Sequence, residues 1–218
     1  MPSPPKILAF LLLAAALAAC SRAPSSASAQ ADVAPARPSA GGSLTWGVET
    51  EPQTLNPHIN GQDKVALILR NSYESLLART EDGGFVARLA SAWEVSDDGL
   101  TYTFHLRPDV KFSDGSALDA ATVIRNVQAL RQPGYTPIAI HIFYLDRIAD
   151  IQAPDPHTLR ITLKQPYSPF LGYFSSLPLL ASSAFDSPDL KAGGPGIAGT
   201  GPFVIKRYQP GQQIEFEK

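Results

Sequence analysis

The segment Thr101-Tyr102-Thr103-Phe104-His105-Leu106 alternates polar and apolar side chains without a break. A period of two is the pattern of a strand with one buried face. Trp93-Glu94-Val95 comes before it, with Asp97-Asp98-Gly99 in between. Asp and Gly in series suit the backbone conformations of a tight reversal, so this stretch predicts a β-hairpin. Asp114-Gly115 marks a further turn. Trp93, Tyr102, Phe104, Leu106 and Phe112 are core-type residues on short strands.

The rest of the chain mixes helical and strand periods. Leu44-Thr45-Trp46-Gly47-Val48 alternates and predicts a strand, and Pro52 and Pro57 keep the next segment irregular. From Asp63, a plausible N-cap, Val65, Ile68, Leu69, Ser72, Tyr73, Leu76 and Leu77 recur at helical intervals. Asp119 caps a second helix running through Arg131, with Val123, Ile124, Val127 and Leu130 on one face. Residues 148–152 and 158–163 form a second hairpin across Ala153-Pro154-Asp155-Pro156-His157. Ser168-Pro169 opens a short helix through Ser176, since proline suits the first helical position. Residues 186–201 are a Gly- and Pro-rich loop, and 203–208 with 214–218 make a last hairpin around Pro210-Gly211. Hairpins interspersed among helices define an α+β class, with no internal repeat. The chain stops inside the last predicted strand, and we expect the complete protein to be longer.

The first 42 residues have a different character. Lys6 precedes an apolar run from Ile7 to Leu17, too short to span a bilayer and shaped like a secretory signal. Leu17-Ala18-Ala19-Cys20 then resembles a bacterial lipobox, in which the cysteine takes a diacylglyceryl thioether after cleavage. Cys20 is the chain's one cysteine, so neither an internal disulfide nor a thiolate metal site is available. Residues 21–42 are rich in Ala, Ser and Pro and predict a flexible tether. The expected organisation is a signal peptide over 1–19, lipidated Cys20 with its tether over 20–42, and a folded module over 43–218. It places the molecule in the periplasm or at the cell surface, held to a membrane by acyl chains.

Composition and motifs exclude several functions. Eighteen basic against 20 acidic residues give no electrostatic case for nucleic acid. His58, His105, His141 and His157 lack metal-ligand spacing, and no cofactor motif is present. Gly199-Thr200-Gly201 precedes a strand rather than a helix and lacks the later Gly and Lys of a nucleotide loop. Asp97, Asp98 and Asp114 sit beside glycines in turns, where Asp bonds local backbone. No Gly-x-Ser-x-Gly, His-Glu-x-x-His or Cys–His arrangement occurs, so an enzyme is not expected.

Residues 89–115 resemble the signature of the family 5 extracellular solute-binding proteins, which serve ABC importers of oligopeptides, dipeptides, nickel chelates and some sugars or opines. Three further blocks agree in order: Thr54-Leu55-Asn56-Pro57, Tyr73-Glu74-Ser75-Leu76, and Gly199-Thr200-Gly201-Pro202-Phe203 followed by Gln209-Pro210-Gly211. The resemblance implies a periplasmic-binding-protein-like fold of type II, cluster C. This chain would hold the first lobe, with mixed sheet, hairpins and helices, and lack the second. Such proteins close two lobes around a ligand. In peptide-binding members, charged residues of the second lobe hold the peptide termini.

The same resemblance implies a monomer that captures a small solute, most naturally a short peptide, and delivers it to an ABC permease and its ATPase. The alternatives are a nickel-chelate or sugar/opine binder, or an envelope lipoprotein of the same fold acting as a sensor or receptor. It points to cleft-facing loops carrying His58, Ile59 and Asn60, then Tyr135, Ile138 and His141, and finally Leu179. Tyr135 and His141 offer an aromatic face and a hydrogen-bonding ring. Nickel binders of the family carry an arginine in the stretch matching Leu177-Pro178-Leu179-Leu180, where this chain has none.

Overall fold

A computed structural model of the chain describes residues 41–60 and 62–218. The expected signal segment, Cys20 and nearly all of the tether lie outside the described residues. The chain divides into two compact units, 1–46 and 47–218. Of the first, residues 41–46 are described, and they form neither helix nor strand. The strand expected at Leu44–Val48 is therefore absent, its alternation being taken up by none of the three sheets among the described residues. Alternation permits a strand, but a neighbouring edge must pair with it.

The second unit is built around a four-stranded sheet. Its strands are β3 (Ala90–Val95), β4 (Thr101–Leu106), β5 (Ile148–Asp155) and β6 (Thr158–Leu163), in the order β3-β4-β6-β5. Both central hairpins lie where the sequence predicts them, β5 running three residues longer than expected. Tyr102 pairs with Ile161 and Phe104 with Leu159, so the inward rows of β4 and β6 meet side by side. All four residues are buried. Helix α2 (Ala120–Ala129) covers this apolar face, with Val123 and Val127 buried beneath it. Its cap is the expected one: the Asp119 carboxylate accepts from the Thr122 N–H at 2.7 Å.

Two short hairpins flank this layer, β1 (Leu77–Arg79) with β2 (Phe85–Ala87), and β7 (Val204–Gln209) with β8 (Gln213–Glu217). Every strand pair among the described residues is antiparallel.

The first helix departs from its prediction. Helix α1 spans Asp63–Leu69, preceded by Gln62 rather than Asp63 as N-cap. The helical spacing of Ser72, Tyr73, Leu76 and Leu77 does not prolong it. Tertiary hydrogen bonds claim the backbone just past its end: Gly201 N–H donates to the Ser72 carbonyl at 2.9 Å, and Phe203 N–H to that of Asn71 at 3.0 Å. The Asn71 side chain donates to the Ile68 carbonyl at 2.9 Å and helps close the helix. Tyr73 and Leu76 are still buried, but in the irregular segment between α1 and β1.

Helix α3 (Ala139–Leu145) precedes β5, and α4 (Phe170–Phe174) starts after Pro169. A 3₁₀ turn, Ser182–Asp186, leads into the region expected to be loop, which contains helix α5 (Pro188–Ala192). Ser187 caps α5, Pro188 opens it, and Gly193 closes it at φ 68°. These signals are present in the sequence but frame only five residues.

Two apolar cores result. The larger fills the space between sheet, α2 and α4, and the smaller gathers Leu55, Val65, Leu69, Tyr73, Leu180 and Ile205. Tyr135 packs against both. Asn126 on α2 joins distant segments in this interior. Its side chain donates to the Leu180 carbonyl at 2.8 Å and accepts from the Leu180 N–H at 2.9 Å. Asn126→Ala will leave both buried groups unpaired and lower stability by about 3 kcal/mol, read by urea unfolding.

Candidate functional site

The segment 54–60 is held by its own side chains before it reaches the surface. Asn56, fully buried, donates to the Leu190 carbonyl at 3.0 Å and to the Tyr135 hydroxyl at 3.0 Å, and accepts from the His58 N–H at 3.0 Å. His58 is equally buried. Its Nε2 lies 2.8 Å from the Pro178 carbonyl and its Nδ1 3.2 Å from the Tyr135 hydroxyl. A carbonyl only accepts, so Nε2 carries the proton and Nδ1 is free to accept from Tyr135. Ile138 N–H completes the tie by donating to the His58 carbonyl at 3.2 Å. One imidazole thus joins the loop after residue 54, the segment before α3, and the turn at Pro178.

Burial disfavours the charged ring here. It pulls the His58 pKa from 6.5 down to about 4, against the Pro178 hydrogen bond, which raises it. His141 on α3 lies edge-on to His58, with ring centroids 5.9 Å apart. Desolvation, then the proximity of His58, bring His141 down to about 3. Its ring nitrogens are buried and make no hydrogen bond among the described residues. Both histidines are therefore neutral at ordinary pH. Burial also pushes the Tyr135 hydroxyl up to about 12, so it remains a neutral hydrogen-bonding group.

In front of this packed layer lies a cavity of about 280 Å³. Asn60, Ile138 and His141 line it, as do Pro57 and Pro178. Of the residues expected to face a cleft, three are thus brought together on one wall. His58 and Tyr135 stand behind that wall and fix it. Ile59 is half-buried beside it, and Leu179 is buried in the larger core. Apolar core and apolar lining have the same composition, which is why Leu179 carries no distinguishing signal in sequence.

The rest of the lining was not anticipated. Asp63, Ala66 and Arg70 fall at i, i+3 and i+7 along α1 and line the same cavity, together with Ser175 and Ser176 after α4. In sequence this stripe reads as the solvent face of an amphipathic helix. Among the described residues no group of three or more His, Cys, Asp or Glu is placed to hold a metal ion. The cavity is lined by amide, hydroxyl, imidazole, apolar and two charged groups.

Comparison with known proteins gives the site its setting. The family of bacterial extracellular solute-binding proteins, family 5 (middle), matches residues 84–218. The probable D,D-dipeptide-binding periplasmic protein DdpA of Escherichia coli K12 is 32% identical over 184 residues, covering 78% of this chain and 34% of its own length. The nickel-binding periplasmic protein of the same organism is 33% identical, over 78% of this chain and 32% of its own. The glutathione-binding protein GsiB of Salmonella paratyphi A is 32% identical, covering 76% and 32%. Among solved structures, NikZ from Campylobacter jejuni in complex with Ni(L-His) superposes with a TM-score of 0.69 at 28% identity, over 78% of this chain and 34% of that one. This chain thus spans about a third of the length of the relatives it matches, and its architecture is that of part of a type II periplasmic binding protein. With the family matched over residues 84–218, the chain belongs to the bacterial extracellular solute-binding proteins of family 5.

Proposed function

We propose that the protein captures a short peptide or similar small solute outside the cytoplasm and hands it to the permease and ATPase of an ABC importer. The observation that carries this reading is the cavity itself. It is open, lined by hydrogen-bonding and apolar groups in the segments 57–70, 138–141 and 175–178, and braced from behind by the Asn56–Tyr135–His58 network. Such a surface binds without performing chemistry. Ligand would favour a closed state by bridging this lobe and a second one. Names of relatives that specify D,D-dipeptides and glutathione support a peptide-like solute. Cys20 would carry the acyl anchor, with 21–42 as the tether.

Isothermal titration of the full-length protein with peptides of two to four residues tests the reading. One-site binding at micromolar affinity or tighter is expected. Silence toward every peptide, with tight binding of a nickel chelate, sugar or opine, would overturn the peptide assignment.

A further inference from the structure

One residue of the cavity lining stands apart. Among the described residues that line it, His141 alone has buried side-chain polar atoms without a hydrogen bond, and they are both of its ring nitrogens. The residue is 2% exposed. Asn60, Ser175 and Ser176, lining the same cavity, are already engaged. The Asn60 amide donates to the Thr54 carbonyl at 3.2 Å and accepts from the Gln62 N–H at 3.0 Å. The Ser175 and Ser176 hydroxyls donate to the Gly172 carbonyl at 2.8 and 3.2 Å. Packing holds the His141 ring, edge-on to His58 at 5.9 Å and to Tyr173 at 5.7 Å between centroids. His58 has no nitrogen to offer it, since Pro178 and Tyr135 take both. A donor and an acceptor buried without partners cost the folded state their lost hydration. An apolar ring would fill the same niche without that cost.

We propose that His141 is a specificity-determining residue that turns into the cavity and pairs with main-chain amide groups of the bound solute. As placed, its nitrogens are covered, so the ring must turn outward about its side-chain bonds to engage. The turn exchanges unpaired nitrogens for paired ones, and a solute that supplies the pairing shifts the ring to the outward position. A neutral imidazole carries one N–H donor and one acceptor nitrogen. A peptide main chain offers a carbonyl to the first and an N–H to the second. A carboxylate only accepts and an ammonium only donates, so neither serves both nitrogens. The inference rests on the peptide-capture reading above. It adds that this wall reads the uncharged main chain of the solute rather than its ends.

Nitrogen NMR of the full-length protein with isotope-labelled histidine rings tests the turn. On saturation with trialanine the His141 ring nitrogens should shift, while those of His58, held by Pro178 and Tyr135, stay in place. In calorimetric titration, His141→Phe should bind trialanine about tenfold more weakly, the loss expected for one hydrogen bond. His141→Gln, which keeps a donor and an acceptor, should recover most of that loss. The urea midpoint of His141→Phe should equal or exceed that of the wild type, which shows that it folds and separates lost affinity from lost stability. A histidine that only packs predicts unmoved ring nitrogens and full affinity in the phenylalanine variant, and either result overturns the assignment. A wild-type protein that binds no trialanine defeats the capture reading itself, a different failure from one that binds it with His141 unmoved.

Discussion

Alanine at Gly201 will lower the stability of the protein by about 3 kcal/mol, seen as a fall of about 1–2 M in the urea midpoint. The cause is close approach rather than backbone conformation, because Gly201 is not among the glycines of positive φ. A Cβ at this position would lie 2.5 Å from the Asn71 carbonyl oxygen and 2.7 Å from the Ser72 Cα. Both are backbone atoms and cannot swing aside. Gly199 meets the Ser72 carbonyl and the Tyr73 ring in the same way. These contacts press the 199–203 turn against the end of α1, next to Arg70. The substitution should therefore also weaken ligand binding, through displacement of α1 rather than loss of a contact. Gly47→Ala is the control: among the described residues no heavy atom lies within 4 Å of its added methyl group, and the midpoint should not move.

The turn at 199–203 also shows how much of this molecule is legible in its sequence. The pattern Gly199-Thr200-Gly201-Pro202-Phe203 stands out in the sequence as one block of the family resemblance. It did not reveal that the turn takes the place of a helical continuation at Asn71 and Ser72. Local spacing favoured helix through Leu77, and two tertiary hydrogen bonds ended it at Leu69. The β3–β4 hairpin was legible because the period of two and the Asp98-Gly99 turn agree, and β5–β6 because two apolar-patterned runs flank the proline-containing 153–157 segment. Helix α5 escaped notice because five residues carry too little periodicity, although Ser187, Pro188 and Gly193 frame it.

The site was legible in part, and for a related reason. Asn60, Ile138 and His141, singled out from the sequence, line one cavity. Asp63 and Arg70 look in sequence like any charged pair on an exposed helix face, and only the fold brings them to the same cavity as Asn60 and His141. The His58–His141 pair joins residues far apart in the chain, and no spacing rule brings two such rings together.

That pair carries the second large expected effect. The protein will lose stability as the pH falls from about 6.5 toward 4. The folded state keeps His58 neutral down to about 4 and His141 down to about 3, whereas the unfolded chain takes up protons on both near 6.5. Stability is thus complete above pH 6.5 and declines as the unfolded state gains protons that the folded state refuses. His58 alone contributes about 3 kcal/mol to the decline. Hydrogen-bonded carboxylates such as Asp98 and Asp155 stay charged to below 3.8, so their contribution is lost at lower pH. Urea midpoints measured from pH 8 to 4 will read the slope. His141→Phe, which keeps an aromatic ring in the niche without buried unpaired nitrogens, should flatten the profile and raise the midpoint at pH 5. A midpoint constant between pH 7 and 4.5 would mean that the two rings are not buried as a neutral pair.

Amide hydrogen exchange of the full-length protein, with and without a saturating bound peptide, bears most directly on where the solute sits. Slower exchange is expected across 57–70, 135–141 and 175–178, with the β5–β6 hairpin unchanged. Protection that spares all three segments while appearing elsewhere in residues 47–218 would contradict the assignment of this cavity as the ligand wall.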